Sequence, residues 1–196
     1  MRSATVGVVV LVHQDLSRSA QAVRHWAEAG CAVVVHVDRA VTPSDHDRFL
    51  RDLSDLQQVK FCARQRCEWG TWGIVAASQS ACEMMLADFA DLNHIYLASG
   101  SCLPIRPVED LIAYLRAHPD TDFIESATVS DVPWSIGGLH KERFHLHFPF
   151  AWKRRRWLFD LSVRLQRTLG LKRRLPQGIT PHLGSQWWCL TRNTVS

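Results

Sequence analysis

The residues able to do chemistry in this chain sit where apolar runs end. Residues 94–106 read HIYLASGSCLPIR, a β-type run that stops in the small-residue loop Ser99-Gly100-Ser101-Cys102. Loops that follow strands in open α/β sheets are where ligands bind. This loop has no acid to hold a divalent cation, so any phosphate bound beside it needs cations from elsewhere. Asp38 ends a second run, VVVHVD, where a carboxylate can accept from a ribose or base, or can serve its own turn. Glu125 in FIES is either a binding group for hydroxyls, a solvated strand end, or a general base. Lys141 and Arg143 in HKERF are acceptor-facing cations or ordinary surface charge. Trp187 and Trp188 in GSQWW are adjacent, so in a strand they point to opposite faces, one to the core and one free to stack on a sugar.

Other chemistries lack their residues. No GxGxxG follows the first apolar run and no GxxxxGK[ST] occurs anywhere, so the glycine cradles of dinucleotide and P-loop sites are missing. His140, His145 and His147 lie close together without a spaced thiol or acid, which gives no zinc site and leaves no metal expected. The six cysteines form no CxxC pair, and several sit inside apolar runs, as reduced thiols that act as small hydrophobes.

The elements that must position these residues follow from the periodicity. Val6 to Val12 is a continuous β-branched run, the pattern of a strand buried on both faces. Ser17 then caps a helix through Ala29 with Gly30 as its stop, and Cys31 to Val37 is a second buried strand, parallel to the first because a helix connects them. Pro43 with Ser44 opens a helix to about Leu53. Val59 to Cys62 is a third strand, and about Thr71 to Phe89 a longer helix. Ile95 to Ala98, Val108 to Ala117, Phe123 to Glu125 and Trp187 to Leu190 read as strand, helix, strand and strand. Strands alternating with helices predict an α/β fold with a doubly wound, mostly parallel sheet and helices on both faces. His13, His36-Val37-Asp38, residues 64–69, the Ser99–Cys102 loop and Glu125 then share the carboxyl ends of the strands as one candidate site.

VVVLVHQD, VVVHVD, Arg66-Cys67-Glu68-Trp69-Gly70 at the head of a helix, YLASGSCLPI, FIES, HKERF and GSQWWCLTR occur in one order along the chain. In that order and spacing they resemble the core-2/I-branching β-1,6-N-acetylglucosaminyltransferase family, which also includes peptide O-xylosyltransferases. The resemblance spans essentially the whole chain and implies a GT-A-type, Rossmann-like nucleotide-sugar-binding domain over residues 1–196. It implies inverting transfer, most readily of GlcNAc, from a UDP-sugar to an acceptor hydroxyl with a β-linkage, without cofactor or obligatory metal. By the same resemblance Val12, His13, Asp38, Trp69, Gly100, Ser101, Cys102, Ser185 and Trp187 bind the donor, and Glu125, Lys141 and Arg143 face the acceptor. Cys102 stands where relatives often carry Asp. The family's base and its diphosphate-binding cations lie further along than Ser196, so the chain is expected to be the N-terminal part of a longer enzyme, with no catalytic residue inside it except Glu125 as a candidate. The alternatives are a xylosyltransferase-like enzyme acting on peptide or glycan, and a non-catalytic domain that binds UDP-sugar or glycan.

Bulk composition narrows the partners. The net charge of +4 conceals a segment, Lys153 to Arg174, with nine basic residues against Asp160 alone. The remainder is mildly acidic, which disfavours a protein that coats nucleic acid. The segment carries Trp157, Leu158, Leu161, Leu165 and Leu169 at helical spacing. It has three readings: an amphipathic helix laid against the domain, a contact with anionic membrane, or a site for an anionic acceptor. Val6 to Val12 is too short for a secretory or spanning segment, so a cytoplasmic protein is expected; the membrane reading of the basic segment would place it peripherally at the inner face of the membrane.

Overall fold

The computed structural model describes residues 6–68, 70–129, 131, 141–150 and 155–196. Two compact units emerge: residues 1–124 with 187–196, and residues 125–186, inserted between two strands of the first.

The first unit is the predicted α/β architecture. Its strands are β1 (Val6–Val12), β2 (Ala32–Val37), β3 (Val59–Phe61), β4 (His94–Ser99), β5 (Phe123–Ile124) and, late in the chain, β8 (Trp188–Thr191). They form one sheet in the order β3-β2-β1-β4-β8-β5. The first four are parallel, and β8 lies antiparallel between β4 and β5. Helices cover both faces. Val8, Val10, Val33 and Val35 pack under α1 (Leu16–Glu28), α2 (Pro43–Asp52) and α4 (Val108–Ala117), through Val23, Trp26, Phe49 and Leu115. Val9, Val34, Ile95 and Leu97 face the other way, onto Ala81, Cys82 and Met85 of α3 (Trp72–Asp88). Alternation thus sends the two halves of one valine run to two cores, each fully buried valine contributing about 1.5–3 kcal/mol.

Local signals set the boundaries. Gly30 ends α1 at φ 88°, a left-handed position that a side chain disfavours. Thr42 caps α2 through the Asp45 N–H, with Pro43 in the first turn, and Thr71 caps α3. The cap of α1 differs from expectation: Asp15, at φ 47°, accepts from the Arg18 N–H at 3.4 Å, and Ser17 lies inside the first turn. Asp tolerates the left-handed turn that brings the chain off β1 into the helix. At the far end of the sheet, the Asp122 carboxylate accepts from the Thr191 N–H (2.7 Å) and the Thr194 hydroxyl (2.6 Å), fastening β8 to the short α6 (Arg192–Val195). These bonds hold the Asp122 carboxyl below the usual carboxylate range. Arg192 donates to the carbonyls of Leu86 and Phe89, a cation placed where the dipole of α3 is negative.

The second unit contains the pair β6 (Ala127–Thr128) and β7 (His182–Leu183), a 3-10 turn (Lys141–Phe144) and α5 (Arg156–Thr168). Gln166 of α5 receives the His147 N–H and donates back to the His147 carbonyl, and Arg167 makes a two-pronged ion pair with Glu142. No helix among the described residues is long and apolar enough to cross a membrane.

The helix α3 approaches β1 so closely at Gly7 that a Cβ there would stand 2.7 Å from Sδ of Met85 and 3.0 Å from Cδ1 of Leu92, so the Met85 side chain would have to move. Gly7→Ala is therefore expected to destabilise by about 1–3 kcal/mol through overpacking, and Met85→Ala by about 2–5 kcal/mol through a cavity. In the double variant each change relieves the other. Chemical denaturation of the four proteins checks this through a total cost well below the sum of the single ones.

Candidate functional site

The strand order reverses at β1, whose neighbours are β2 on one side and β4 on the other. Parallel sheets leave their ligand crevice at such a point, outside the carboxyl ends of the strands. Val12 and His13 end β1 and Asp38 follows β2. Gly100, Ser101 and Cys102 follow β4. Trp187 immediately precedes β8, whose antiparallel pairing with β4 puts its start at the carboxyl end of β4, on the same edge. The fold thus brings six predicted donor-side residues and Trp187 to one edge of the first unit. His13, Ser101 and Cys102 are exposed there, while Val12 and Gly100 are buried. Trp69 lies outside the described residues.

Main-chain bonds hold these ends together. The Asp38 N–H donates to the Val12 carbonyl at 2.7 Å, and the Gly100 N–H to the Leu11 carbonyl at 3.0 Å. Gly100 is a packing glycine: a Cβ there would meet Oγ of Ser19 at 2.5 Å and Cγ2 of Val12 at 3.0 Å. The start of α1 and the end of β1 close over it, so its small size fixes the floor of the crevice. Ser101 N–H donates to the Ser99 hydroxyl, which turns the loop outward.

Asp38 is 3% exposed, and its two carboxylate oxygens accept from the Ala40 N–H (2.7 Å) and the Cys67 N–H (3.1 Å). It therefore anchors the loop after β3 as well as its own turn. Each oxygen keeps a second acceptor direction, so a ligand hydroxyl can share the group. Two neighbours at the strand ends, to which sequence reasoning gave no role of their own, complete this anchorage. His36, 1% exposed, accepts the Gln65 N–H on Nε2 at 2.8 Å. Arg64 donates to the carbonyls of Asp38 (2.9 Å) and Val41 (2.6 Å). A histidine inside an otherwise apolar strand was the available signal. Burial above all, with the Arg64 charge adding, holds the His36 imidazolium form down, against the pull of Asp38. The ring is neutral with its proton on Nδ1. Burial, with Asp38 adding, pushes the Cys67 thiol up to about 11, so it is no nucleophile.

In the second unit, β6 and β7 pair through Ala127↔Leu183 and Thr128↔His182. Continuing that register outward by two residues sets Glu125 opposite Ser185. The glycine of GSQWW makes this possible, since a Cβ on Gly184 would stand 1.9 Å from the Glu125 carbonyl oxygen. The Ser126 hydroxyl and Nδ1 of His182 lie 2.9 Å apart and add a side-chain tie. Two predicted residues, one assigned to donor and one to acceptor, are thus neighbours. Arg143 is exposed in the 3-10 turn that Lys141 opens.

The expectation for the tryptophans needs correcting. Trp187 and Trp188 are both half-buried and both pack against the cluster on the α3 face. Trp187 precedes β8, so strand alternation does not govern it. Among the described residues no group of three or more His, Cys, Asp or Glu side chains could hold a metal ion. His145 lies 3.4 Å from the Arg173 carbonyl instead, and His140 falls outside the described residues.

The family model described as Core-2/I-Branching enzyme matches the chain over residues 9–196. No curated protein matches it.

The neutral, buried His36 has a consequence for stability. Its folded pKa is depressed, so the unfolded chain binds a proton first as pH falls. The His36 contribution is complete above the unfolded value near 6.5 and is lost between there and the folded value. His36→Gln keeps an acceptor for the Gln65 N–H but cannot titrate. Urea unfolding from pH 8 to pH 5.5 is expected to show a smaller loss of stability in the variant than in the parent.

Proposed function

The chain belongs to the core-2/I-branching enzyme family, a family of glycosyltransferases, and on that premise we propose that it moves GlcNAc from UDP-GlcNAc to an acceptor hydroxyl with inversion and without an obligatory metal. The observation that carries this reading is the gathering of Val12, His13, Asp38, Gly100, Ser101 and Cys102 on the carboxyl ends of β1, β2 and β4 at the strand-order reversal. A nucleoside diphosphate fits such a crevice because strand ends present main-chain groups and Asp38 presents carboxylate oxygens to ribose or base hydrogen-bond donors.

Inverting transfer is one displacement. The acceptor oxygen bonds to the anomeric carbon as the bond from that carbon to the diphosphate oxygen breaks. The acceptor's proton passes to a base, and charge grows on the departing UDP. In this reading Asp38 and the 99–102 loop hold the donor, while Glu125 and Arg143 meet acceptor hydroxyls. Asp38 also acts on the donor pocket indirectly, since the Cys67 N–H it holds fixes the loop leading to Trp69. Metal independence draws on the loop Ser99-Gly100-Ser101-Cys102, which has no carboxylate to offer a cation. Fixed arginine and lysine side chains can stabilise a leaving diphosphate in its place.

Calorimetric titration with UDP and UDP-GlcNAc in EDTA tests the donor reading. Binding is expected to survive EDTA, and Asp38→Ala is expected to weaken it at least fivefold, the loss of one or two hydrogen bonds. A thermal melt of the same variant separates this from unfolding, because Asp38 also holds two main-chain N–H groups. UDP affinity unchanged in a folded Asp38→Ala protein, or no UDP binding by the parent, overturns the assignment. For Glu125, exposed and with no burial to lose, Glu125→Gln is expected to raise the acceptor KM severalfold with UDP affinity unchanged. A matching loss in kcat with a shifted acid limb of the pH profile would instead make it the base.

A further inference from the structure

The basic segment presents its apolar side chains to solvent. Trp157, Leu161, Leu165 and Leu169 recur every four residues along α5 and just beyond it, at 67%, 55%, 55% and 59% exposure. The opposite face is the one used for packing: Val163 is buried, and Gln166 is tied to the His147 backbone. A helix laid against the domain by its leucines, the first of the three sequence readings, would show the reverse pattern. Cations surround the exposed stripe. Arg155 and Arg156 precede Trp157, Arg164 lies between Leu161 and Leu165, and Lys172, Arg173 and Arg174 follow Leu169, all exposed. Asp160 is the one acid from Arg155 to Arg174. Arg167, the remaining cation, is engaged with Glu142.

From these features we propose that α5 lies in the interface of an anionic lipid bilayer, Trp157, Leu161, Leu165 and Leu169 entering the acyl boundary and the flanking cations meeting lipid phosphates. The combination selects this occupant. An anionic soluble ligand is served by the arginines but gives no place for four exposed large apolar side chains in a row. A second copy of this chain would set one cationic rim against another. An anionic bilayer matches both, since Trp and Leu favour the headgroup boundary and each nearby cation adds attraction to a negative surface. The proposal does not rest on the glycosyltransferase reading.

Vesicle flotation tests it with the full chain, using phosphatidylcholine alone or with 30 mol% phosphatidylglycerol as a chosen composition of about one third anionic lipid. Binding is expected only with the anionic vesicles and should fall about tenfold or more between 0.1 M and 0.5 M salt, as screening shortens. Arg155→Glu/Arg156→Glu/Arg164→Glu and, separately, Trp157→Ser/Leu161→Ser/Leu165→Ser are each expected to reduce binding at least tenfold. Both sets replace exposed side chains, and circular dichroism confirms that α5 persists. Arg48→Glu, on the exposed surface of α2, is the control and should bind as the parent does. Failure of the parent to float, equal binding to neutral vesicles, or full binding by the serine variant overturns the proposal. So does a parent that is dimeric by light scattering and becomes monomeric in the serine variant, because the stripe is then a contact between copies.

Discussion

The structure depends on one constraint, that β1 has no polar face. A strand reading VGVVVLV cannot lie at a sheet edge or under a single layer without leaving valines in water. It must be central, with partners on both sides and helices on both faces. That requirement sends β2 and β4 to its two flanks and α3 to the face opposite α1. The strand order therefore reverses at β1, and the loops that leave β1, β2 and β4 at their carboxyl ends have to share one edge. The position of the candidate site is a by-product of burying this strand, six of whose seven residues are buried, and no ligand is needed to explain it.

What the edge looks like is decided by a different force. Loops that leave buried parallel strands carry main-chain groups that need partners, and here three buried or half-buried polar side chains supply them. His36 takes one N–H of the loop after β3, Asp38 takes another and closes its own turn, and the Arg64 guanidinium gathers carbonyls from the end of β2. An unpaired buried group costs about 1–3 kcal/mol, so these contacts select one loop shape out of many. They also explain why a carboxylate at position 38 is nearly inaccessible yet bounds the crevice. Its burial is the signature of a group that holds shape, and the acceptor directions left over are those open to a ligand.

Much of this was legible in the chain, and the failures have physical causes. The valine runs, Gly30 and the Pro43 start gave elements within a residue or two, because periodicity and turn residues act locally. Asp15 was passed over as a cap because Asp and Ser cap helices about equally well, and only the left-handed turn off β1 decides between Asp15 and Ser17. The antiparallel insertion of β8 between β4 and β5 was invisible, since a short apolar run carries no sign of direction. The pairing of β6 with β7 was missed for a related reason: strands of two residues have no periodicity, and their partners lie more than fifty residues apart. The proximity of Glu125 and Ser185 hangs on that pairing, so the two were legible as separate motifs and not as neighbours. The lacing by His36 and Arg64 was likewise hidden, because hydrogen bonds to main chain leave no pattern in sequence.

The charge on this chain is arranged in keeping with that division of labour. Near the strand ends, polar side chains are bound inward: the Arg64 guanidinium rests among carbonyls and the Asp38 carboxylate oxygens among N–H groups, and both serve shape. On α5 the cations point outward, and the helix keeps its large apolar side chains with them. A soluble surface normally separates the two kinds, since exposed leucines add no stability and invite association. Their persistence together on one exposed helix face, with a packed and hydrogen-bonded face behind it, is best understood as a surface shaped by something other than water. The first unit's shape follows from what it must bury, and the helix's from what it leaves unburied.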